Sequence, residues 1–111
     1  MSKAIYKLLD SVTTTGAGTA IQMPTTVGNI PTAKSTFQAI GSTSSGSGSA
    51  TIKVQVSNDG TNFIDAGTIT LTLSTTTTSD GFSIDAPWAF IRGNTTAISG
   101  TNAAVTLYMA I

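Results

Sequence analysis

Residues able to carry chemistry are scarce in this chain. Its acidic residues are five aspartates, and it contains neither histidine nor cysteine. Without histidine, the chain lacks the usual base of a catalytic triad. Without cysteine it has no thiol nucleophile, and without both it lacks the usual ligands of a zinc site. We predict that the protein is not an enzyme, and that it has no catalytic residues, no cofactor-binding residues and no cofactor.

The aspartates stand mostly in turn contexts. Asp59 and Asp80 each precede a glycine, and an aspartate in such a position usually accepts hydrogen bonds from its own turn backbone. A pair of carboxylates can also act as general acid and base, but the turn interpretation is favoured. Asn58, Asp59 and Asp65 offer oxygens to calcium, yet the EF-hand pattern is absent and calcium takes at least about six oxygens. We predict no metal site.

Length and charge narrow the function further. The chain has 111 residues, enough for one domain, and five basic residues balance its five acidic ones. A neutral chain lacks the basic field that attracts nucleic acid or an anionic membrane, and no apolar run approaches the ~20 residues that span a bilayer. We predict that the protein binds neither nucleic acid nor a membrane. Near-zero net charge also removes repulsion between copies, which suits a protein packed against neighbours.

Threonine and serine make up 35 of the 111 residues. Threonine favours extended structure and presents a small neutral hydroxyl to water. Such exteriors are typical of virion and fibre proteins, with a threonine-rich bacterial surface domain as the alternative. Lys7 and Asp10 interrupt the apolar residues near the N-terminus, so they do not form the apolar region of a signal peptide. We expect synthesis in a cytoplasm.

The clearest structural signal lies in residues 49–73. Apolar and polar residues alternate on both sides of Asp59 and Gly60, and Asp-Gly is a strong hairpin-turn signal. The segment therefore predicts two antiparallel strands with one buried face. The predicted core comprises alternating aliphatic residues, here and near the C-terminus: Ile52, Val54, Val56, Ile69, Leu71, Leu73, Val105 and Leu107.

Strand patterns separated by turn signals continue along the chain. About eight or nine short strands at turn spacings of roughly eight to twelve residues are typical of a sandwich or jelly roll. We predict an all-β fold, an antiparallel and jelly-roll-like β-sandwich with an extended N-terminal segment. It is a single domain, in which residues 1–34 form an N-terminal arm with the first strands and residues 35–111 form the β-sandwich.

The arm interpretation rests on Gly and Thr residues at 13–18 and on Pro24 and Pro31, which interrupt the strand pattern. On this interpretation residues 1–34 serve mainly to bind a partner or neighbour. In the alternative, Ile5, Leu9, Ile21 and Met23 belong to ordinary core strands. The Gly/Ser-rich residues 41–49 are predicted to form a flexible hairpin tip.

Apolar residues near the two termini are the candidate partner interface. Ile5, Tyr6, Leu8 and Leu9 form an apolar patch on a segment that the sandwich need not absorb. Contiguous apolar surface usually marks an interface. Tyr108 near the other terminus adds an apolar ring with a polar hydroxyl, which suits a subunit contact.

Trp88 and Arg92 are the single tryptophan and the single arginine. Carbohydrate-binding modules use exposed aromatic rings as sugar platforms. Trp88, however, alternates with Phe90, which favours a core or inter-sheet position. Arg92 is expected to pair with an aspartate or to cap the sandwich.

At VQVSNDGTNF, and later at PWAFIRGNTTAISGTNAAVTLYM, the chain resembles a class of small tailed-phage virion proteins. Members pair an SNDGTNW/F hairpin with an aryl-Ile/Val-Arg strand, followed by a Gly/Thr loop and a closing strand. The hairpin is also similar to that of discoidin-like, galactose-binding jelly rolls. The resemblance spans roughly residues 37–111, and Phe63 stands where the motif often has Trp.

This resemblance implies a capsid decoration, or cement, protein. Such a protein assembles as a homotrimer on the capsid exterior of the virion, bridges major capsid protein subunits and is made in the host cytoplasm. Residues 1–34 are the candidate clamp. The alternative is a carbohydrate-binding module or host-attachment tip of a phage tail or head fibre. Exposed aromatics beside the loops favour the alternative, whereas a buried Trp88 with a flat, apolar, self-complementary flank favours decoration.

Overall fold

A computed structural model describes residues 5–22, 35–84 and 88–110. Every regular element in these ranges is a β-strand, and within them no helix is long and apolar enough to cross a membrane. The strands are β1 (Ile5–Val12), β2 (Gly16–Ala17), β3 (Ile21–Gln22), β4 (Ser35–Ser42), β5 (Ser45–Ser57), β6 (Ile64–Leu73), β7 (Thr78–Ile84), β8 (Phe90–Thr101) and β9 (Ala104–Ala110).

The strands form two sheets that face each other. A four-stranded sheet has the order β1-β9-β4-β7, and a five-stranded sheet has the order β2-β8-β5-β6 with β3 also paired to β8. All pairings are antiparallel. Because β4 to β5, β6 to β7 and β8 to β9 each pass from one sheet to the other, the topology is that of a jelly roll. The predicted antiparallel, jelly-roll-like sandwich is confirmed.

The hairpin predicted over residues 49–73 is the β5–β6 pair. Ile52 lies opposite Ile69 on the inner face, and Thr51 lies opposite Thr70 on the outer face. All eight predicted core residues are at most 2% exposed. The alternation was decisive because successive side chains of a strand point to opposite faces of its sheet.

The two sheets approach closely at Gly93 of β8. A Cβ atom built there would lie 2.8 Å from the Leu9 side chain and 2.9 Å from that of Leu107. Leu9 belongs to β1 and Leu107 to β9, so side chains of the four-stranded sheet occupy the space above this glycine. Any larger residue would push the sheets apart.

The expectation that the N-terminal segment acts mainly as an arm is wrong for β1. This strand pairs with β9 along its length, and Leu9 lies opposite Leu107. A register shift between Lys7 and Leu9 inserts an extra residue, so that Leu8 and Leu9 are both buried. Without β1, one edge of β9 would be unpaired. Residues 1–4 and 23–34 lie outside the described residues, and the division at residue 34 stays a prediction.

The Gly/Ser-rich residues 41–49 do not form a flexible hairpin tip. They span the end of β4 and the start of β5, which lie in different sheets. The connection is held by backbone hydrogen bonds just after β6 and at the end of β8. The Thr43 N–H donates to the Ser74 carbonyl at 2.8 Å and the Ser44 N–H to the Thr101 carbonyl at 3.0 Å. Composition alone did not reveal these contacts, since both partners are distant in sequence.

Among the described residues, one polar side chain has a buried oxygen without a hydrogen-bond partner. Thr95 on β8 lies opposite Ile52 and is completely buried. Its Oγ1 has no hydrogen-bond partner in the part of the chain that the structure describes. Burying a hydroxyl without a partner is unfavourable by about 1–3 kcal/mol.

Truncating β1 side chains distinguishes a core strand from an arm. Leu9→Ala is expected to lower the free energy of unfolding by about 2–5 kcal/mol, because it leaves a cavity against Leu107 and Gly93. Ile5→Ala, on the same strand but exposed, is the matched control and should change stability by less than about 0.5 kcal/mol. Urea denaturation measures both, and equal small effects would restore the arm interpretation.

Replacing the uncompensated hydroxyl should stabilise the protein. Thr95→Val keeps the shape of the side chain and removes the buried oxygen, so the free energy of unfolding is expected to rise by about 1 kcal/mol. Thr68→Val on the exposed outer face controls for the strand propensity of valine. Thermal denaturation of both variants is the measurement. A destabilised Thr95→Val protein would show that the hydroxyl has a partner after all.

Candidate functional site

An apolar hollow of about 350 Å³ lies on the outer face of the four-stranded sheet. We call it the Ile5–Tyr108 hollow. Seven residues of β1, β4 and β9 line it: Ile5, Thr36, Phe37, Gln38, Tyr108, Met109 and Ala110. Its surface can receive an apolar side chain of a partner, with the Gln38 amide and the Tyr108 hydroxyl available for hydrogen bonds.

Strand register places these side chains together. Ala110 lies between Ile5 and Thr36 in one row across the sheet. In the next outward-facing row, Tyr108 lies between Lys7 and Gln38. Residues in these rows share a face because they are two positions apart on each strand. The Lys7 ammonium lies 5.8 Å from the centre of the Tyr108 ring and 3.7 Å from a carboxylate oxygen of Asp10.

The structure brings together two of the five predicted interface residues. Ile5 is 67% exposed, and Tyr108 is half-buried beside it in the hollow. Tyr6 packs partly buried against the core. Leu8 and Leu9 are buried inside their own domain, so placing them in a partner interface was wrong. The N-terminal sequence by itself did not reveal the register shift that turns both leucines inward.

A different surface occupies the outer face of the five-stranded sheet. Four side chains from three adjacent strands form a connected polar row, which we define as Lys53, Asp65, Gln55 and Arg92. The Asp65 carboxylate accepts a hydrogen bond from Lys53 Nζ at 2.9 Å and another from Gln55 Nε2 at 2.9 Å. These two hydrogen bonds lower the pKa of Asp65, with the Lys53 contact contributing most.

Arg92 at the end of the polar row is held by two contacts. Its Nε donates to Gln55 Oε1 at 2.8 Å, and its guanidinium carbon lies 4.1 Å from the centre of the Phe63 ring. Among the described residues its partners are thus an amide and an aromatic ring. Asp85 lies outside the described residues, so the expected pairing of Arg92 with an aspartate stays a prediction. The alternation of residues 51–56 placed Gln55 on the polar face of its strand, but no local pattern showed that Arg92 lies opposite Gln55.

The loop between β5 and β6 is built around Asp59. Its Oδ1 accepts hydrogen bonds from Ser57 Oγ and from the backbone N–H groups of Thr61 and Asn62, each at 2.8 Å. Asn62 Nδ2 donates to the other carboxylate oxygen at 2.9 Å. These four bonds, with the Asn62 side chain contributing most, hold the pKa of Asp59 far below its ordinary value. The turn interpretation is therefore right for Asp59.

Asp80 differs from Asp59 in position. It lies within β7, where its carboxylate accepts from the backbone N–H of Gly81 at 2.8 Å. The turn interpretation was wrong for this residue. In the described part of the chain, no group of three His, Cys, Asp or Glu side chains is close enough to hold a metal ion. The oxygens of Asp59 and Asp65 instead accept the internal hydrogen bonds already described.

The same loop packs against the start of β8. Asn58 Oδ1 accepts a hydrogen bond from the Ala89 backbone N–H at 3.0 Å. Gly60 has a φ of +76°, and a Cβ there would lie 3.3 Å from the Phe90 ring. Glycine therefore meets both a conformational and a spatial requirement of the turn. The neighbouring Trp88 packs partly buried against the core, as predicted. Its alternation with Phe90 was not the reason, because Ile91 rather than Phe90 is the residue of β8 that enters the core.

No family model matches this sequence, and no curated protein matches it. Two solved structures match this chain. The PBSX exported protein XepA is 12% identical with a TM-score of 0.51, over 96% of this chain and 36% of that one. A structure described as "CBM4 structure and function" is 13% identical with a TM-score of 0.49, over 98% of this chain and 68% of that one. This chain thus spans about a third of XepA. The likeness to XepA shows a shared fold.

Asp59 should make the free energy of unfolding decrease as the pH falls in the acid range. Its pKa is lowered in the folded state, so its contribution to stability is complete above the unfolded-state pKa of about 3.9 and is lost as the pH falls through the folded value. Asp59→Asn is therefore expected to be less stable than wild type at pH 7, with the difference shrinking towards pH 2. Urea denaturation across this range measures it.

Asp80→Asn is the matched control for that series, because it removes the same charge from a strand rather than from the loop. A difference between wild type and Asp59→Asn that does not change with pH would show that the loop contacts do not depend on the charge of Asp59.

Proposed function

We propose that this protein is a non-catalytic structural component of a virion, a decoration protein that binds major capsid protein subunits on the capsid exterior. The observation that carries the proposal is the kind of apolar surface left exposed. Among the described residues, the exposed large hydrophobic side chains are aliphatic, Ile5 at 67% and Ile64 at 55%. Each described aromatic residue is buried or partly buried.

This distribution supports protein binding over sugar binding. A sugar platform needs an open aromatic face, but Trp88 packs against the core and one face of Phe63 meets Arg92. Ile5, by contrast, borders a hollow with a largely apolar lining. Burying such a side chain against a partner contributes about 1.5–3 kcal/mol. The Ile5–Tyr108 hollow is therefore the proposed contact with the capsid.

Virion composition and a matched pair of variants test the proposal. Mass spectrometry of purified particles is expected to find the protein at a copy number related to that of the capsid subunits. Ile5→Asp should weaken binding to heads that lack the protein by about tenfold or more, since about 1.4 kcal/mol corresponds to tenfold. Ile64→Asp, an equally polar change on the other sheet, should bind as wild type does.

Two results would contradict the proposal. One is absence of the protein from purified particles. The other is equal binding by wild type, Ile5→Asp and Ile64→Asp, which would place the contact elsewhere. Circular dichroism of each variant checks that the protein is folded. Lost binding can then be attributed to the substituted surface residue.

The second candidate function is a carbohydrate-binding module or host-attachment tip. The polar row favours it, because amide, carboxylate and guanidinium groups beside an aromatic ring are the groups that bind sugar hydroxyls. A glycan array is the measurement. Binding that is lost in Arg92→Ala, from a protein that does not bind heads, would favour this function over decoration.

A further inference from the structure

β6 forms one edge of the five-stranded sheet. Among the described strands it pairs with β5 alone. Thr78 Oγ1, from the neighbouring β7, donates to the Thr72 carbonyl at 3.0 Å. This bond reaches Thr72 from the side away from β5, so the backbone groups of Thr72 point outward. In a β-strand, the backbone N–H and C=O groups of residues two positions apart point to the same side. The backbone groups of Thr70 and Thr68 therefore also point away from β5.

A second hydrogen bond also indicates that the backbone groups of Thr70 point away from β5. Thr96 Oγ1 of β8 donates to the Thr51 carbonyl at 3.4 Å, so the backbone of Thr51 faces β8 rather than β6. Thr70 lies directly opposite Thr51 and must therefore direct its own N–H and C=O away from β5. The outer side of β6 thus directs a row of backbone donors and acceptors away from β5, and of these the Thr72 carbonyl already accepts a hydrogen bond from Thr78 Oγ1.

The other sheet edges carry features that discourage pairing. β1 has the charged residues Lys7 and Asp10, two register shifts, and Ser11 at a φ of +50°. β7 carries the exposed Asp80, and β2 is only two residues long. Charges, irregular backbone and short length are the usual means of preventing edge-to-edge association.

β6 lacks these features over residues 67–73. This run, GTITLTL, contains no charge and no proline, and its register with β5 is regular. Its outward side chains, Thr68, Thr70 and Thr72, are exposed, while the residues between them are buried in the core. It is thus a flat, neutral edge with strong β propensity, the type that accepts another strand.

We propose that β6 pairs antiparallel with β6 of a second copy of this chain, about a two-fold axis at Thr70. In this register Thr70 meets its own counterpart, and Thr68 meets Thr72 of the other copy. Cross-strand threonine pairs are favourable, and no like charges oppose each other. The zero net charge of the chain leaves little repulsion between copies. The two five-stranded sheets then become one continuous sheet.

This interface goes beyond the proposed capsid contact, because Ile5 and Tyr108 lie on the other sheet. Its stoichiometry also differs from the homotrimer that the family resemblance implies. A two-fold interface uses the same surface on both copies and closes with two. Sedimentation therefore separates the two assemblies, and neither result depends on capsid binding.

Charge substitutions at the axis test the pairing. Wild type is expected to be a concentration-dependent dimer in analytical ultracentrifugation. Thr70→Lys places two ammonium groups beside each other at the axis and should raise the dimer dissociation constant at least about tenfold. Thr51→Lys, the direct neighbour on the interior strand β5, adds the same charge to the same face away from the axis and should remain dimeric.

A mixture provides a rescue that depends on register. Thr70→Lys mixed with Thr70→Asp should form heterodimers, because opposite charges then meet at the axis. Circular dichroism of each variant shows that it is folded. The proposal is overturned if wild type is monomeric at about 100 µM, if wild type is a trimer, if Thr51→Lys disrupts the dimer as much as Thr70→Lys, or if the mixture does not associate.

Discussion

The close approach of the two sheets at Gly93 is the constraint on which the rest of the fold depends. Leu9 and Leu107 fill the space that a side chain at position 93 would need. Their pairing joins β1 to β9, and this pair provides Ile5 and Tyr108 on the opposite face. The same residues that close the core therefore set the positions of the hollow. The β1–β9 pair thus carries the Leu9–Leu107 contact on its inner face and part of the Ile5–Tyr108 hollow on its outer face.

Sequence alternation predicted the parts of the fold whose information is local. The β5–β6 hairpin and its aliphatic core follow from period-two patterns and a strong turn signal. The role of β1 did not, because the burial of Leu8 and Leu9 depends on a register shift against a strand at the other end of the chain. The Gly/Ser-rich segment was misjudged for the same reason, since the residues that hold it, Ser74 and Thr101, are distant in sequence.

The candidate sites, like the fold, could be predicted only where local sequence patterns were sufficient. Ile5 and Tyr108 were recognised as surface apolar residues, but their meeting in one hollow required the β1–β9 register. The polar row required the registers of β5 with both β6 and β8, which no single segment encodes. The sandwich thus carries an apolar hollow on one outer face and a polar row on the other. Because these surfaces belong to different sheets, a change to one leaves the chemistry of the other intact.

The pairing of Ile5 with Ala110 also has a consequence for how the chain folds during synthesis. Of the described strands, β1 is synthesised first and its partner β9 last. Leu8 and Leu9 must therefore stay unburied until nearly the whole domain has emerged. Contacts between such distant positions slow folding, because a long loop must close before they form. Completion of the core is thus a late and cooperative event, and a nascent chain halted before β9 retains an exposed pair of leucines.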